Sequence, residues 1–287
     1  MNDPRWVGAR MIAQMIAQMI AKHRLLLTLA AALLLHIAAE PASAAPTEAA
    51  ALMRDVERNA SPPDERVRIE MALVDSSGQV RRRTAMYYRR QREPGSLEDM
   101  KLIRFDSPPE MDGSAVLTLE NAESADDQWL YLPAYRTSRR IPSSNRSDRY
   151  MGTDFSYEDV SDDKIPQFQY SFVGEEEIGG RTYRIVEQIP IADEVKNESA
   201  YGRKRQWVDP ERLIATRIDY FGKDGTLIKR FEASSPVQIA DYWRWEQVTM
   251  TDFRIDHRTE IVYRDRAIDT GSVDTSLFTV RYLERGR

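Results

Sequence analysis

The sequence contains no cysteine. This absence excludes disulfide bonds, a thiolate nucleophile and zinc sites built on cysteine ligands. It also excludes a lipid anchor on an N-terminal cysteine, so the mature chain is not expected to be lipidated. The protein must therefore be stabilised by burial of apolar side chains, which a chain of 287 residues is long enough to achieve.

Histidine is almost as scarce, because only His23, His36 and His257 occur. A single histidine beyond residue 44 excludes a histidine-cluster metal site and disfavours a Ser-His-Asp triad. His257 lies in a predicted turn, and we assign it a solvated or structural role. No Gly-rich phosphate loop and no EF-hand spacing is present. We therefore expect no catalytic residue, no metal and no cofactor, although the many carboxylates leave a glycosidase-like pair open.

Long apolar runs are also missing. The longest, Leu25–Ala39, is shorter than the ~20 residues that a membrane-spanning helix needs. It follows the positive residues Lys22, His23 and Arg24 and precedes the small-residue motif Ala42-Ser43-Ala44, the order typical of a secretory signal peptide. The sequence thus predicts that residues 1–44 are cleaved and that the mature protein is soluble in the periplasm. A membrane anchor is the alternative.

The residues before this run repeat the pattern Met-Ile-Ala-Gln from Met11 onwards. The chain from Met19 to Ala44 is already a complete signal peptide, which suggests that translation starts at Met19. Of the 41 basic and 46 acidic residues, four and two respectively lie in residues 1–44, which leaves 37 and 44 in residues 45–287. This net charge of −7 argues against a nucleic acid partner.

Most of the remaining sequence alternates between apolar and polar residues, which is typical of half-buried strands. Gly222–Gly225 is a strong hairpin signal, and Gly179-Gly180 is a second turn. The acidic clusters Asp126-Asp127, Asp162-Asp163 and Glu175–Glu177 are interpreted as solvated loops. The predicted strands are Val67–Leu73, Val80–Arg90, Lys101–Phe105, Ala115–Glu120, Trp129–Leu132, Tyr183–Ile189, Arg205–Val208, Ala215–Phe221, Leu227–Ala233, Trp243–Phe253 and His257–Arg264.

Helical signals are few. Thr47 is a predicted N-cap for a helix over Glu48–Arg58, with Leu52, Met53 and Val56 facing the sheet. A short helix is expected over Ser156–Lys164 and a last turn over Asp274–Phe278. Because strands follow strands without intervening helices, we predict a mainly β (α+β) fold in which residues 45–287 form one domain with a curved antiparallel sheet. So few helices cannot fill a wide concave face, so an apolar hollow is expected.

Three segments form a distinctive ordered string: Asp126–Pro133, Arg139-Arg140-Ile141 and Tyr150–Asp159. Together with Gly174-Glu175-Glu176, Lys223-Asp224-Gly225 and the ending Ser276–Gly286, this string resembles the outer-membrane lipoprotein-sorting protein family, the relatives of the periplasmic lipoprotein carrier LolA. The resemblance covers roughly Thr47 to Gly286. It implies an incomplete antiparallel β-barrel closed by helices around a hydrophobic cavity that takes up acyl chains. Members of this branch often look like companions of RND-type exporters.

Aromatic and methionine side chains on predicted strands are the candidates for the cavity lining. Trp243 and Trp245 are two residues apart and so share a sheet face, as do Trp129 and Tyr131. Methionines add an adaptable lining for alkyl chains. The full predicted set is Met71, Met86, Tyr88, Trp129, Tyr131, Phe155, Tyr157, Trp207, Trp243 and Trp245.

Arginines concentrate in the first half of the mature chain. Most are interpreted as solvated strand faces, but the segment Arg136–Arg149 is predicted to be a mobile loop. Arg139, Arg140, Arg146 and Arg149 are the candidates for contact with phospholipid head groups or with an acidic partner.

The sequence therefore predicts a monomeric periplasmic carrier that binds a lipid or lipoprotein acyl chain and transfers it to a membrane partner, either an RND-type exporter or an outer-membrane acceptor. An exporter adaptor that binds no lipid and a hydrolase of an envelope lipid or glycan are the alternatives.

Overall fold

The computed structural model describes residues 47–122 and 124–285. The predicted signal peptide, residues 1–44, and the predicted start at Met19 lie outside these residues. Three α-helices are present in the described part of the chain: α1 (Glu48–Ala60), α2 (Asp193–Glu198) and α3 (Val280–Arg285). None of these helices has the length or the apolar character that a membrane crossing would require.

Thirteen strands form one sheet in which every neighbouring pair is antiparallel. The spatial order is β6-β5-β4-β3-β2-β1-β13-β12-β11-β10-β9-β8-β7. The strands are β1 (Asp64–Val74), β2 (Val80–Gln91), β3 (Asp99–Ser107), β4 (Ala115–Leu119), β5 (Asp127–Leu132), β6 (Thr137–Ile141), β7 (Phe168–Ile178), β8 (Arg181–Pro190), β9 (Tyr201–Asp209), β10 (Ile214–Gly222), β11 (Leu227–Ile239), β12 (Tyr242–Asp252) and β13 (His257–Ile268).

The sheet is curved and open. β3 and β9 are seven positions apart in the strand order, which would separate them by ~34 Å in a flat sheet. Residues from both strands nevertheless line the same cavity, so the sheet must bend around it. β6 and β7 remain the two edges because they do not pair with each other. The predicted mainly β fold, with a curved and incompletely closed antiparallel sheet, is confirmed.

The two faces of the sheet have different cores. The face that we call inner carries Val67, Ile69 and Met71 of β1, with Ile103 and Ile261 from neighbouring strands. The opposite, outer face carries Leu102 and Leu117, which pair across β3 and β4. This division follows from the alternation of side chains along each strand.

Residues 142–167, which we call the crossing segment, connect the two edges of the sheet across the inner face. Tyr150 and Tyr157 of this segment pack into the inner core, with their rings 5.1 Å apart. The helix predicted over Ser156–Lys164 is wrong, because these residues form turns. Their polar side chains bond to different strands: Ser161 accepts from Gln128 of β5 (3.1 Å) and Asp159 accepts from Lys229 of β11 (3.1 Å). A regular helix could not satisfy partners in such different directions.

Helix α1 begins as predicted, with the Thr47 side chain accepting the Ala50 N–H. Met53 packs against the β7–β9 part of the inner face, with Leu52 and Val56 beside it. The helix is fixed at its start by Thr47, whose hydroxyl donates to the Tyr170 carbonyl (3.2 Å). At its other end Asn59 donates to the Leu213 carbonyl (3.1 Å).

The C-terminal segment does not cover the inner face. Asp274 caps a 3₁₀ turn over Thr275–Leu277, which confirms the predicted last turn, and α3 follows. Phe278 and Leu283 pack on Leu102 and Leu117, so this segment covers the outer face. The expectation that helices cover the concave face therefore holds for α1 and is wrong for α3.

Two strands were missed by the sequence analysis. β6 contains Arg139 and Arg140. The second half of β7 contains Glu175–Glu177, which had been assigned to a loop. Both are edge strands with exposed polar residues. β6 has no apolar alternation, and β7 has one only in its first half, at Phe168, Tyr170 and Phe172. The turn after β7 is the predicted Gly179-Gly180, and both glycines have positive φ (59° and 75°), as a tight hairpin turn requires.

We predict that Leu283→Ala lowers the free energy of unfolding by about 2–5 kcal/mol, because a fully buried leucine between α3 and the outer face is truncated. Denaturant unfolding measures the change. Arg281→Ala removes an exposed side chain of the same helix and should cost less than about 0.5 kcal/mol. Equal, small effects of both substitutions would show that the C-terminal segment does not belong to the folded core.

Candidate functional site

A cavity of about 460 Å³ lies on the inner face, bounded by the sheet, α1 and the crossing segment and partly open to solvent. We call it the main cavity. Its volume falls within the ~300–1,000 Å³ that is usual for ligand pockets. Most of its wall is apolar, with side chains from α1, from the crossing segment and from eight strands. The apolar residues are Val56, Ala60, Val67, Ile69, Met71, Ile103, Phe155, Val160, Leu213, Ile214, Ala215, Ile218, Phe231 and Ile261, together with the aromatic residues Tyr87, Tyr150, Trp243, Trp245 and Tyr263.

The strands produce this wall through their alternation. Ile69, Ala85 and Tyr263 lie opposite one another on β1, β2 and β13, and Met71 lies opposite Ile261 one pair further along. Side chains two residues apart on a strand point to the same face, so each of these strands contributes a row of apolar groups to the cavity.

One end of the main cavity is charged. Glu65, the second residue of β1, lies opposite Arg89 of β2, and Arg89 lies opposite Lys101 of β3. Arg244 at the start of β12 and Arg266 near the end of β13 lie at this same end of the strands. The charged end of the cavity consists of Glu65, Arg89, Lys101, Asp162, Arg244 and Arg266.

Buried ion pairs hold these groups. Arg89 bonds to Asp99 and, at 2.8 Å, to Asp162 of the crossing segment. Lys101 bonds to Glu120 and lies 3.0 Å from Asp162. Because unpaired charges are costly inside a protein, these contacts fasten the crossing segment to β2 and β3.

Protonation in this cluster is strongly perturbed. Burial lowers the pKa of Lys101, but the charges of Asp162 and Glu120 outweigh burial and hold that pKa above its ordinary value. Burial, with the Asp162 charge adding to it, raises the pKa of Glu120 to about 7. For Asp162 itself burial is outweighed by Lys101 and Arg89, which lower its pKa.

The carboxylates of Asp99, Glu120 and Asp162 converge, with one oxygen of each within 4.8 Å of the others. Such a trio has the geometry to hold a cation. Here Arg89 and Lys101 already lie between these carboxylates and neutralise them.

A second cavity of about 470 Å³ lies on the other side of α1 and shares Asp162 with the main cavity. Glu57 of α1 and Glu120 both line it. Burial, followed by the charges of Asp162 and Glu120, raises the pKa of Glu57 to about 7. The fold therefore favours the protonated form of Glu57.

This raised pKa predicts a pH dependence of stability. A carboxyl group whose folded pKa is about 7 and whose unfolded value is 4.5 stabilises the fold fully below pH 4.5, and the contribution is lost as the pH rises to about 7. As the pH rises from about 5 to 8, the melting temperature of Glu57→Gln should therefore fall less than that of the unsubstituted protein. Thermal unfolding followed by circular dichroism measures the difference.

Glu48→Gln removes an exposed carboxylate from the same helix and controls for the change in net charge. A Glu57→Gln curve that runs parallel to that of the unsubstituted protein over the whole range would contradict the assignment.

Four of the ten residues predicted to line the cavity do so: Met71, Phe155, Trp243 and Trp245. Tyr157 belongs to the packed inner core and lies against Tyr150, away from the open space.

The other five predicted lining residues lie on the outer face. Tyr88 and Trp129 share a row with Leu102 and Leu117, and Tyr131 is next to that row. These three side chains pack against the C-terminal segment. Met86 is two residues before Tyr88 and faces the same way. The correction has a simple cause: β2 and β5 carry apolar residues on both faces, and the sequence does not say which face borders the cavity.

Trp207 is the fifth. It is buried on the outer face, where its ring lies beneath Arg217, with the guanidinium carbon 4.1 Å from the ring centre. Its indole N–H donates to Glu176 of β7 (2.6 Å). Two charged neighbours therefore hold this tryptophan away from the cavity.

The charged end was missed by the sequence analysis. Arg89 is two residues after Tyr87 and Lys101 two before Ile103, so strand alternation places both on the inner face. That signal was present, but the sequence analysis took charged residues on strands to be solvated. Arg244 is one residue from Trp243 and Arg266 is three from Tyr263, so strand alternation would not have placed these two arginines at the cavity.

The four predicted contact arginines have different environments. Arg139 and Arg140 are exposed on edge strand β6, with Arg140 paired to Asp127. Arg146 is half-buried in the crossing segment and lines a small separate pocket. β6 occupies the first part of Arg136–Arg149 and a 3₁₀ turn lies in the rest, so this segment is not a loop throughout.

Arg149 is held by internal partners. It donates to the Thr153 carbonyl (2.8 Å) and to Asp154 (2.9 Å). Asp154 also bonds His257 Nδ1 and the Thr259 hydroxyl, each at 2.6 Å. His257 is thus the buried first residue of β13 and not a turn residue, and this network ties the crossing segment to that strand.

Comparison with known proteins agrees with this geometry. Residues 97–285 match the model of a family described as uncharacterized protein-like. No curated protein matches the chain.

Solved structures match over nearly their whole length. A candidate outer membrane lipoprotein-sorting protein domain from Vibrio parahaemolyticus is 27% identical, with a TM-score of 0.75 and coverage of 83% of this chain and 98% of that one. A DUF1329 family protein from Desulfovibrio piger is 27% identical, with a TM-score of 0.76 and coverage of 82% and 97%.

A LolA superfamily protein from Nitrosomonas europaea shares the fold at 15% identity, with a TM-score of 0.63 and coverage of 82% and 98%. None of these three proteins is described as an enzyme. Because the family model spans well over half of the chain and the fold is shared throughout, this protein belongs to a LolA-like family.

Proposed function

We propose that this protein is a periplasmic carrier that takes one alkyl chain of a lipid or lipoprotein into the main cavity and hands it to a membrane partner. The observation that supports this function best is the apolar space of about 460 Å³ on the inner face. The similarity to a lipoprotein-sorting protein domain adds to it.

The energetics suit reversible capture. Burial of a chain of ~16 methylenes gives about 13 kcal/mol at ~0.8 kcal/mol each. The freedom that the ligand and the protein lose on binding offsets ~4–15 kcal/mol of this gain. The remainder allows binding that is tight enough for transport and weak enough for transfer.

The cover of the cavity fits the same role. Helix α1 and the crossing segment contribute Val56, Phe155 and Val160 to its wall. The crossing segment is held to the strands by polar contacts, such as Asp154 with Thr259 and Asp162 with Arg89, and by Tyr150 and Tyr157, which pack into the inner core. The cavity is already open beside these contacts, so an alkyl chain can occupy it without displacing them. Binding of this kind needs no covalent step, and we infer a non-catalytic protein that acts as a monomer.

We predict that Ile218→Trp lowers the affinity for a hexadecanoyl probe about tenfold or more, because the larger side chain fills part of the main cavity that Ile218 lines. Displacement of a fluorescent fatty acid measures the affinity. Ile255→Trp makes the same substitution at an exposed position in the β12–β13 turn and should bind like the unsubstituted protein. Equal binding by both variants would place the alkyl chain elsewhere.

The second candidate is an adaptor that docks on an RND-type exporter and binds no lipid. The exposed edge strand β6, with Arg139 and Arg140, favours a docking role. Native mass spectrometry of protein purified from the periplasm separates the two candidates, because a carrier should retain a lipid and an adaptor should not.

If the β6 arginines meet phospholipid head groups during transfer, charge reversal should slow it. Arg139→Glu with Arg140→Glu is expected to slow release of a fluorescent fatty acid to phosphatidylglycerol vesicles about tenfold or more, since each basic residue near an anionic membrane contributes ~1 kcal/mol. Lys196→Glu with Lys223→Glu makes the same charge change at two other exposed positions. Identical transfer rates for the two double variants would rule out this contact.

A further inference from the structure

Two guanidinium groups share one buried carboxylate at the charged end of the main cavity. Nε of Arg244 lies 3.2 Å from Oε2 of Glu65, and Nε of Arg266 lies 3.2 Å from Oε1. The side chains of Glu65, Arg244 and Arg266 are only 7%, 11% and 8% exposed. Within this trio two positive charges face one negative charge. Beside it, Arg89 and Lys101 are already paired with the carboxylates of Asp99, Glu120 and Asp162.

The two arginines differ in how their donors are used. Arg244 donates to the carbonyls of Asn59 and Trp243, each at 2.8 Å, and so caps the C-terminal end of α1. Arg266 lies with its guanidinium carbon 4.4 Å from the centre of the Tyr263 ring. Its Nε is buried against Glu65, and its terminal nitrogens make no hydrogen bond to a described residue.

Arg89 adds a second donor at the same place. It lies directly opposite Glu65 across β1 and β2, and its side chain is 8% exposed. Asp99 and Asp162 bind its terminal nitrogen, while its Nε is buried and has no hydrogen-bond partner in the described part of the chain. Arg89 and Arg266 both line the main cavity.

A buried guanidinium that shares its one carboxylate with a second arginine and has unused N–H groups is only partly compensated. A carboxylate or phosphate supplies the missing negative charge and accepts hydrogen bonds in the geometry that guanidinium groups prefer. The adjoining wall, from Val67 to Met71 and across to Ile261, is apolar. The corner and the wall together match an amphiphile with an anionic head and an alkyl tail.

We propose that Arg266, with Arg89 beside it, binds the anionic head of an amphiphilic cargo, a carboxylate or a phosphate group, while the alkyl tail fills the main cavity. This inference rests on the proposed carrier function and specifies its cargo class. An ester-linked acyl chain, whose head carries no charge, would leave the corner uncompensated and would bind more weakly.

The test compares heads on one constant tail. Hexadecanoate, hexadecyl phosphate and methyl hexadecanoate are titrated at about pH 8, where both acids are ionised. The anionic compounds should bind about tenfold or more tightly than the ester, the range expected for a charged hydrogen bond. Acetate and inorganic phosphate serve as heads without tails and should not compete at the same concentrations.

Arg266→Gln should abolish the preference for the anionic heads and leave binding of the ester unchanged. Arg266→Lys keeps the charge, should retain part of the preference, and provides a second variant if the glutamine protein fails to fold. Arg264→Gln is the matched control, because Arg264 is two residues away on β13 and its side chain is 55% exposed.

The outcomes separate the two proposals. Equal affinity of the unsubstituted protein for acid and ester, or an undiminished preference in Arg266→Gln, overturns the head-group site and leaves the carrier function standing. Absence of binding for all three long-chain compounds refutes the carrier function, and the head-group site with it. Competition by acetate or by inorganic phosphate, which have no tail, would overturn the proposal of an amphiphilic cargo and indicate a simple anion site.

Discussion

The open edges of the sheet are the constraint on which the rest of this structure depends. β6 and β7 end up at opposite sides of a thirteen-stranded sheet, although they are consecutive in the chain. The residues between them must therefore pass over the inner face. They are held there by Tyr150 and Tyr157, which pack into the inner core, and by polar anchors at Asp154, Asp159 and Asp162, each bonded to a different strand. A cover that is pinned at its sides leaves space beneath it, and that space is the main cavity.

Charge inside the protein has two roles in this arrangement. Around Asp162 it is structural, since Arg89 and Lys101 hold the crossing segment in place. Around Glu65 the charges do not balance, since two arginines share one carboxylate. Both clusters lie at the same end of the strands, so the cavity has one apolar region and one polar boundary. Such a polarity would fix the direction in which an amphiphile lies.

The sequence was sufficient for the general architecture. Alternation along Val67–Leu73, the hairpin at Gly222–Gly225 and the Thr47 cap all predict elements that the structure contains. It was insufficient for the choice of face, because Trp129 and Trp245 occur in similar local patterns yet lie on opposite sides of the sheet. That choice depends on where α1 and α3 pack. The turns of the crossing segment were also missed, since their conformation is set by partners that are distant in the sequence.

The pairing of β1 with β13 has a consequence for how the chain reaches this fold. Glu65 pairs with Ile268 and Leu73 with Thr259, so the first and last strands lie side by side in the middle of the sheet. Contacts between such distant residues form slowly, because a very long loop must close before they contribute. The sheet remains in two halves until the last strand has been synthesised. A polypeptide with this delay leaves the edges of its two central strands unpaired, and so open to pairing with other chains, until its synthesis is nearly complete.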